Sequence, residues 1–286
     1  MKKTFALRGG HELTVGGKTL VMGIINVTPD SFSDGGKFFS PESATAHAAQ
    51  LVEDGADIID IGAESTRPGA TPISAEEEFA RLEKILPAVK SLGVPISVDT
   101  YKPEVAAKAL ELGAEILNDI HGLEDLRMID VAKKFDVPII AVHFDRCSAC
   151  DIIDDVQRFF RRTIANCAAR NFDTDKIIFD PGIGFSKTIK DDMEILRRLD
   201  ELKFLDGQEI PLLLGVSRKN VIGHVTGLAL DDRDEATGAI CVHAITKGID
   251  IVRVHNVRKT FKMCLMADVL YRRRRAKRGG RRAIRN

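Results

Sequence analysis

Leu20-Val-Met-Gly-Ile-Ile25 is an apolar run that stops at the amide Asn26, and a helix-prone segment follows after a loop. The same sentence is written seven more times along the chain. The runs are Ile58–Ile61, Pro95–Val98, Ile116–Leu117, Val137–Val142, Ile177–Phe179, Pro211–Leu214 and Ile249–Val252. Just past them stand Gly62 to Arg67, Asp99, Asn118, His143, Asp180, Ser217 with Lys219, and Arg253 with His255. Parallel strands covered on both faces read as continuous apolar runs, and their crossovers are helices. Eight such units predict an α/β fold of the (β/α)8 type, a closed barrel whose active site lies where its strands end.

The chain of 286 residues fits one such domain. An initial hairpin is expected over residues 1–19, with strands at Thr4–Leu7 and Leu13–Val15 and turns at Gly9-Gly10 and Gly16-Gly17. It cannot extend a closed barrel, so it is placed over the barrel's N-terminal end. The barrel is assigned to 20–271 and a basic tail to 272–286. Helices are expected at about 41–54, 75–91, 103–112, 124–135, 151–171, 190–204, 233–247 and 257–274, from periodicity and from Pro41 and Pro103 at first turns. In the fifth of these, Val156, Phe159, Phe160, Thr163, Ile164 and Cys167 share one face. Two βα loops, 26–40 and 62–74, are long and rich in glycine and proline, which suits mobile lids.

No apolar run is long enough to span a bilayer, and the N-terminus lacks the apolar stretch of a secretory signal, so a cytoplasmic location is expected. Five cysteines scattered over this length do not form a disulfide framework. Nine Lys and Arg lie from Arg272 onward with no acid, which leaves 33 basic against 42 acidic residues elsewhere, a net of −9. Such a run can bind nucleic acid. With no aromatic residue beyond Tyr271 and with Gly279-Gly280 in its middle, it reads instead as a solvated, disordered end.

Asp99, Asn118 and Asp180 end three strands and converge on one mouth. Carboxylates accept hydrogen bonds and an amide does both, so together they can read the edge of a nitrogen-rich heterocycle. Singly, each is as well explained as a helix cap. Arg67, Lys219, Arg253 and His255 add groups suited to a dense anion such as diphosphate. Asn26 offers a hard oxygen to a Mg2+ held mostly by phosphate. Phe32, Pro68 and Phe185 offer apolar surface to a flat ring. No Ser-His-Asp or cysteine-nucleophile arrangement is evident, so a transfer reaction in which diphosphate leaves is favoured, with the protein supplying position and electrostatics.

Seven segments also carry a family resemblance: Met22-Gly-Ile-Ile-Asn-Val-Thr-Pro-Asp-Ser-Phe-Ser-Asp-Gly-Gly36, Gly62-Ala-Glu-Ser-Thr-Arg-Pro-Gly69, Ser97-Val-Asp-Thr100, Asn118-Asp-Ile120, Asp180-Pro-Gly-Ile-Gly-Phe185, Gly215-Val-Ser-Arg-Lys219 and Arg253-Val-His255. In this order they resemble the dihydropteroate synthases, the folate-pathway enzymes targeted by sulfonamides. The resemblance implies a TIM barrel that condenses 6-hydroxymethyl-7,8-dihydropterin diphosphate with 4-aminobenzoate, in an SN1-like reaction with Mg2+ as cofactor and in a homodimer. It implies that Asp99, Asn118, Asp180 and Lys219 hold the pterin. Asn26, Arg67, Arg253 and His255 would bind diphosphate and its Mg2+, with Asn26 the metal residue. Thr66, Pro68, Phe185 and Ser217, with Phe32, would line the aminobenzoate pocket. Asp99, Lys219 and Arg253 are the residues assigned to catalysis.

The chain departs from the family pattern at three places. Val142-His-Phe-Asp-Arg-Cys-Ser-Ala-Cys150 replaces a Met-His-Met type sequence, Gly62-Ala63 replaces Gly-Gly, and His121 follows Asn118-Asp-Ile with no role assigned. His143, Cys147 and Cys150 have the spacing of zinc ligands or of a redox pair, although a zinc site needs a fourth ligand. A reduced, variable loop is the plainer reading. Two other readings stand beside the synthase: a pterin-binding methyltransferase and a pterin-binding paralogue without turnover.

Overall fold

The computed structural model describes residues 2–27, 41–65 and 70–272. Strands β1 (Lys3–Ala6) and β2 (Glu12–Val15) form the expected antiparallel hairpin. Six barrel strands follow: β3 (Leu20–Asn26), β4 (Ile58–Gly62), β5 (Ile96–Asp99), β6 (Ile116–Asp119), β7 (Ile139–Val142) and β8 (Ile177–Asp180). A small hairpin, β9 (Phe204–Leu205) with β10 (Gln208–Glu209), precedes the last two, β11 (Leu213–Leu214) and β12 (Ile251–Val254). The eight pair in the order β11-β12-β3-β4-β5-β6-β7-β8, every pair parallel. A parallel bridge between Phe179 and Leu212 joins the two ends. The (β/α)8 TIM barrel is present.

The helices are α1 (Pro41–Glu53), α2 (Ala75–Leu82), α3 (Leu86–Lys90), α4 (Pro103–Glu111), α5 (Arg127–Phe135), α6 (Ile152–Ala169), α7 (Ile189–Arg197), α8 (Leu199–Leu202), α9 (Asn220–Thr226), α10 (Asp234–Lys247) and α11 (Val257–Ala267). The expected helix at 75–91 is two helices, because Pro87 in the first turn of α3 lacks the N–H that would bond back to α2. The expected 190–204 segment also divides, and its end runs into the β9–β10 hairpin. Asp206 and Gly207 both have positive φ there, the requirement of a tight two-residue turn. Helix α9 has no counterpart in the expected set; its seven residues bury only Val221 and Ile222, too little for a periodic signal.

Because strand side chains alternate, each barrel strand sends one set inward and one outward to the helices. Outward go Val21, Ile59, Ile61, Val98, Leu117, Ile139, Phe179 and Val252, which join the helix-lined core. Inward at the strand starts go Leu20, Met22, Ile58, Ile116, Ile140, Ile178, Leu213 and Ile251, and onto them pack Phe5, Leu7, Leu13 and Val15 of the hairpin. The hairpin is thus the floor of the barrel. Above this apolar plug the inward positions turn polar, with Asp60, Ser97, Asn118 and Asp180 buried.

The last helix ends earlier than expected. Residues Asp268–Arg272 form a wider π turn. Arg272, assigned to the tail, is a structured residue: its Nε donates to Asp268 at 2.7 Å and to Thr19 at 3.3 Å, and its Nη2 bonds the Ile249 carbonyl. A guanidinium with that many acceptors is a clasp between the last described helical turn and the barrel floor. The rest of the tail, 273–286, lies outside the described residues.

Candidate active site

The site forms because an inward polar residue at the end of one strand meets others from strands far away in sequence. Arg253 of β12 is the hub. Its Nε donates to Asp60 Oδ2 at 2.6 Å and its Nη2 to Asp99 Oδ2 at 2.6 Å. Asn118 Nδ2 also donates to Asp60 Oδ2, at 3.1 Å. One carboxylate oxygen therefore takes two donors, while Asp60 Oδ1, Asn118 Oδ1 and Ser97 Oγ are buried with no partner among the described residues. Buried polar atoms are nearly always satisfied, so three unmatched oxygens on the neighbouring strands β4, β5 and β6 suit a ligand rich in N–H groups.

Asp180 completes the set. Its Oδ1 accepts the Gly182 N–H at 2.7 Å, and a methyl on Gly215 would lie 3.1 Å from its Oδ2. Gly215 thus leaves that oxygen its room. At Gly182, with φ of +69°, an added Cβ would meet the His143 carbonyl oxygen at 2.0 Å, so only glycine turns the chain there. Burial pushes the Asp180 carboxyl above its usual range, against the bond from Gly182 and the charges of Lys219 and Arg253. Burial likewise raises Asp99 to about 7, opposed by Arg253 and aided by Asp60. It lowers Lys219 to about 8, with Arg253 adding like-charge repulsion.

Lys219 stands over the Phe185 ring, its Nζ 3.9 Å from the centroid. From Phe185 a row of rings runs along the mouth: Phe144 at 5.6 Å, then His121 at 4.7 Å, then Tyr101 stacked on His121 at 4.1 Å. Ser217 Oγ accepts the His255 N–H at 3.1 Å and lies 2.9 Å from His255 Nδ1. Arg218, between Ser217 and Lys219, turns outward with φ of +58° and pairs with Asp234. Asn26, at the end of β3 beside Gly62, is half-buried at the rim.

Asp99, Asn118, Asp180, Lys219 and Arg253 are therefore gathered as the sequence suggests, with Phe185, Ser217 and His255 beside them. The heterocycle reader and the anion site are joined in space through Arg253. Arg253, assigned to the anion, is bonded to two acids of the reader, since its inward position on β12 aims it across the mouth. Phe32, Thr66, Arg67 and Pro68 lie outside the described residues, as do 28–40 of the first long loop and 66–69 of the second. Sequence reasoning missed Asp60, which sits inside the run Ile58-Ile-Asp-Ile61 and was absorbed into its apolar reading. A charge in a strand buried on both faces is itself the signal. It also missed the support of the second loop: Lys102 Nζ donates to Glu64 at 2.5 Å, to Glu78 at 2.8 Å and to the Ile73 carbonyl at 2.7 Å, and Tyr101 donates to Glu64 at 3.0 Å.

A parallel barrel whose mouth gathers buried carboxylates, an amide and cations suits a pterin-binding enzyme, and the family model described as pterin binding enzyme matches residues 22–255. A dihydropteroate synthase of Bacillus subtilis is 45% identical over 256 residues, covering 88% of this chain and 89% of that protein. The crystal structure of a Clostridium difficile dihydropteroate synthase in the presence of pteroic acid aligns with a TM-score of 0.86 at 43% identity, over 90% of this chain and 98% of the other. That of the Xanthomonas albilineans dihydropteroate synthase with 4-aminobenzoic acid gives 0.88 at 36% identity, over 94% and 98%. The chain belongs to the dihydropteroate synthase family, transferases of folate biosynthesis.

Proposed function

We propose that the barrel mouth performs the family reaction as follows. The pterin of 6-hydroxymethyl-7,8-dihydropterin diphosphate enters the polar layer and presents its N–H edge to Asp180, Asn118, Asp60 and Asp99. The observation that carries this reading is the group of buried acceptors without partners: Asp60 Oδ1, Asn118 Oδ1 and Ser97 Oγ. Lys219, over Phe185, faces the ring and the mouth. The C–O bond to diphosphate breaks first and the pterin carries the resulting cation, which the nearby carboxylates stabilise. The aniline nitrogen of 4-aminobenzoate then forms the new C–N bond and loses its proton to solvent. The neutral amine is nucleophile enough, so no strong base is required.

Arg253 supplies cationic charge to the departing diphosphate, together with Arg67, and His255 offers it a ring N–H. Thr66, Pro68, Phe185, Ser217 and Phe32 form the aminobenzoate pocket in this reading. Mg2+ fits a site at Asn26 only with the substrate's help. Among the described residues the mouth holds no group of three His, Cys or carboxylate donors close enough for a protein cage, and Mg2+ is commonly held by one or two protein oxygens plus phosphate and water. Asn26 offers one such oxygen. Bound there, the ion would neutralise charge on the leaving diphosphate.

The homodimer is supported by the face at the end of α11, where Leu265, Met266, Val269, Leu270 and Tyr271 are all exposed. A contiguous apolar face of this kind is characteristic of an association surface. Among the described residues no helix is long and apolar enough to cross a membrane, which agrees with a cytoplasmic enzyme.

Diphosphate release tests the whole reading. Release that requires both substrates and Mg2+, with formation of dihydropteroate, is expected. Tight binding of the pterin diphosphate without product would mark a paralogue that binds but does not turn over.

A further inference from the structure

The loop after β7 and the first turn of α6 hold a second cluster of ligating groups, beside His143. We propose that Cys147, Cys150, Asp155 and His143 form a structural zinc site. The two sulfurs and a carboxylate oxygen of Asp155 lie within 4.8 Å of one another. Two residues separate the cysteines, the spacing with which zinc is commonly chelated. His143 Nε2 lies 3.4 Å from Asp155 Oδ2. Two ligands at about 2.0 Å from a tetrahedral ion stand roughly 3.3 Å apart, so this separation is already that of two ligands on one metal. His143 is 3% exposed, and among the described residues its Nδ1 has no hydrogen-bond partner.

The surroundings suit the charge of such a complex. Two thiolates, one carboxylate and a neutral imidazole around Zn2+ carry a net charge of −1, and the two thiol protons leave to solvent. Arg146 has Nη1 at 3.5 Å from Asp155 Oδ2 and 4.0 Å from Cys150 Sγ, and Arg158 is a second cation beside it. With Arg162 and Asp145 they line a cavity of about 280 Å3. The cations compensate the complex without competing as ligands. The N–H of Cys147 bonds Asp155 Oδ2 at 2.9 Å, so the loop is already folded toward its fourth member. Sulfur ligands in a tetrahedral set select Zn2+ over the oxygen-seeking Mg2+. Phe144, next to His143, packs between His121 and Phe185, so ligation would also steady that wall of the mouth.

The full-length protein, reduced and stripped with chelator, is titrated with Zn2+ and separately with Co2+. Expected are one equivalent of either ion, a thiolate-to-cobalt charge-transfer band with tetrahedral d–d absorption, a higher Tm, and protection of Cys147 and Cys150 from alkylation. The double variant Cys147→Ser, Cys150→Ser loses all four responses while keeping its circular dichroism, and Asp155→Asn and His143→Gln each weaken zinc at least tenfold. No uptake by the reduced protein overturns the proposal, as does equal uptake by the cysteine variant. So does finding the two cysteines joined to each other as the stable form in a thiol-buffered solution containing Zn2+.

Discussion

Arg253 and Asp60 are 193 positions apart in the chain, yet Arg253 Nε meets Asp60 Oδ2 at 2.6 Å inside the barrel. Strand β3 lies between their strands, and Asp60 is opposite Ile24 of that strand in register. The pair crosses the barrel interior rather than following the sheet. Asp60 is wholly buried, so its charge is tolerable only with Arg253 and Asn118 donating to it.

Asp60→Asn should keep the volume and remove the charge. Hydrogen bonds to charged groups contribute about 1.5–3 kcal/mol, so kcat/KM for the pterin diphosphate should fall roughly ten- to a hundredfold. Steady-state kinetics with saturating 4-aminobenzoate measures this. An unchanged kcat/KM with a lower Tm would make Asp60 a structural partner of Arg253 only.

Pterin affinity should depend on pH through Asp99. Its carboxyl, raised to about 7 by burial, is largely protonated at pH 6 and largely ionised at pH 8. A ligand that donates N–H bonds prefers the ionised form, so affinity should rise across that window, with release of up to one proton on binding at its acid end. Stability moves the other way. A folded-state pKa above the unfolded value of about 3.9 means the native state holds more protons between about 4 and 7. The contribution of Asp99 to stability is therefore present at low pH and lost as pH rises through 7. Calorimetry at several pH values with Asp99→Asn as the control checks both signs; a variant with the same profile would refute the assignment.

Gly215→Ala should weaken pterin binding more than it weakens the fold. The new methyl would lie 3.1 Å from Asp180 Oδ2 and crowd the oxygen left open to ligand. An increase in Kd of about tenfold, roughly 1.4 kcal/mol, is expected in a direct titration. Gly17, which has no positive φ and whose added Cβ would meet nothing within 4 Å, serves as the control for a general glycine effect.

Lys102→Met should be costly despite its distance from the pterin readers. It bonds Glu64 and Glu78, both largely buried, and breaking such a set leaves uncompensated charge worth about 3–5 kcal/mol. A large drop in urea midpoint is expected at pH 7. The loss should shrink near pH 5, where a destabilised Glu78, whose carboxyl burial already raises, takes up a proton. A pH-independent loss would mean that packing of the lysine stem, not its charge, is what matters.

Met266→Asp with Leu270→Asp should yield monomers if the α11 face is the dimer contact. Both residues are about half exposed in the single chain, so the isolated fold should tolerate the charges. Sedimentation of variant and parent at the same concentration decides it; an unchanged mass would place the contact elsewhere.

Much of this was legible one residue at a time. Each barrel strand follows an apolar run because a strand covered on both faces needs apolar side chains at every position. Asp99, Asn118, Asp180 and Arg253 stand out because they interrupt that rule at or near strand ends. Arg218 and Lys219 show the limit. Adjacent and both basic, they differ only in the positive φ of Arg218, which turns one to Asp234 and the other into the mouth.

The order of strands, the location of the mouth and the chemical types gathered there were determined by local pattern: apolar runs, helical periods and the polar residue that ends each run. The tertiary structure alone decided which of those residues touch. Asp60 became the shared acceptor of Arg253 and Asn118, Arg272 became a clasp on Thr19, and His121 became part of an aromatic row. Periodicity reports which face a side chain takes, whereas barrel closure and strand register set what lies across from it. Contacts between strands far apart in the chain leave no trace in the spacing of either.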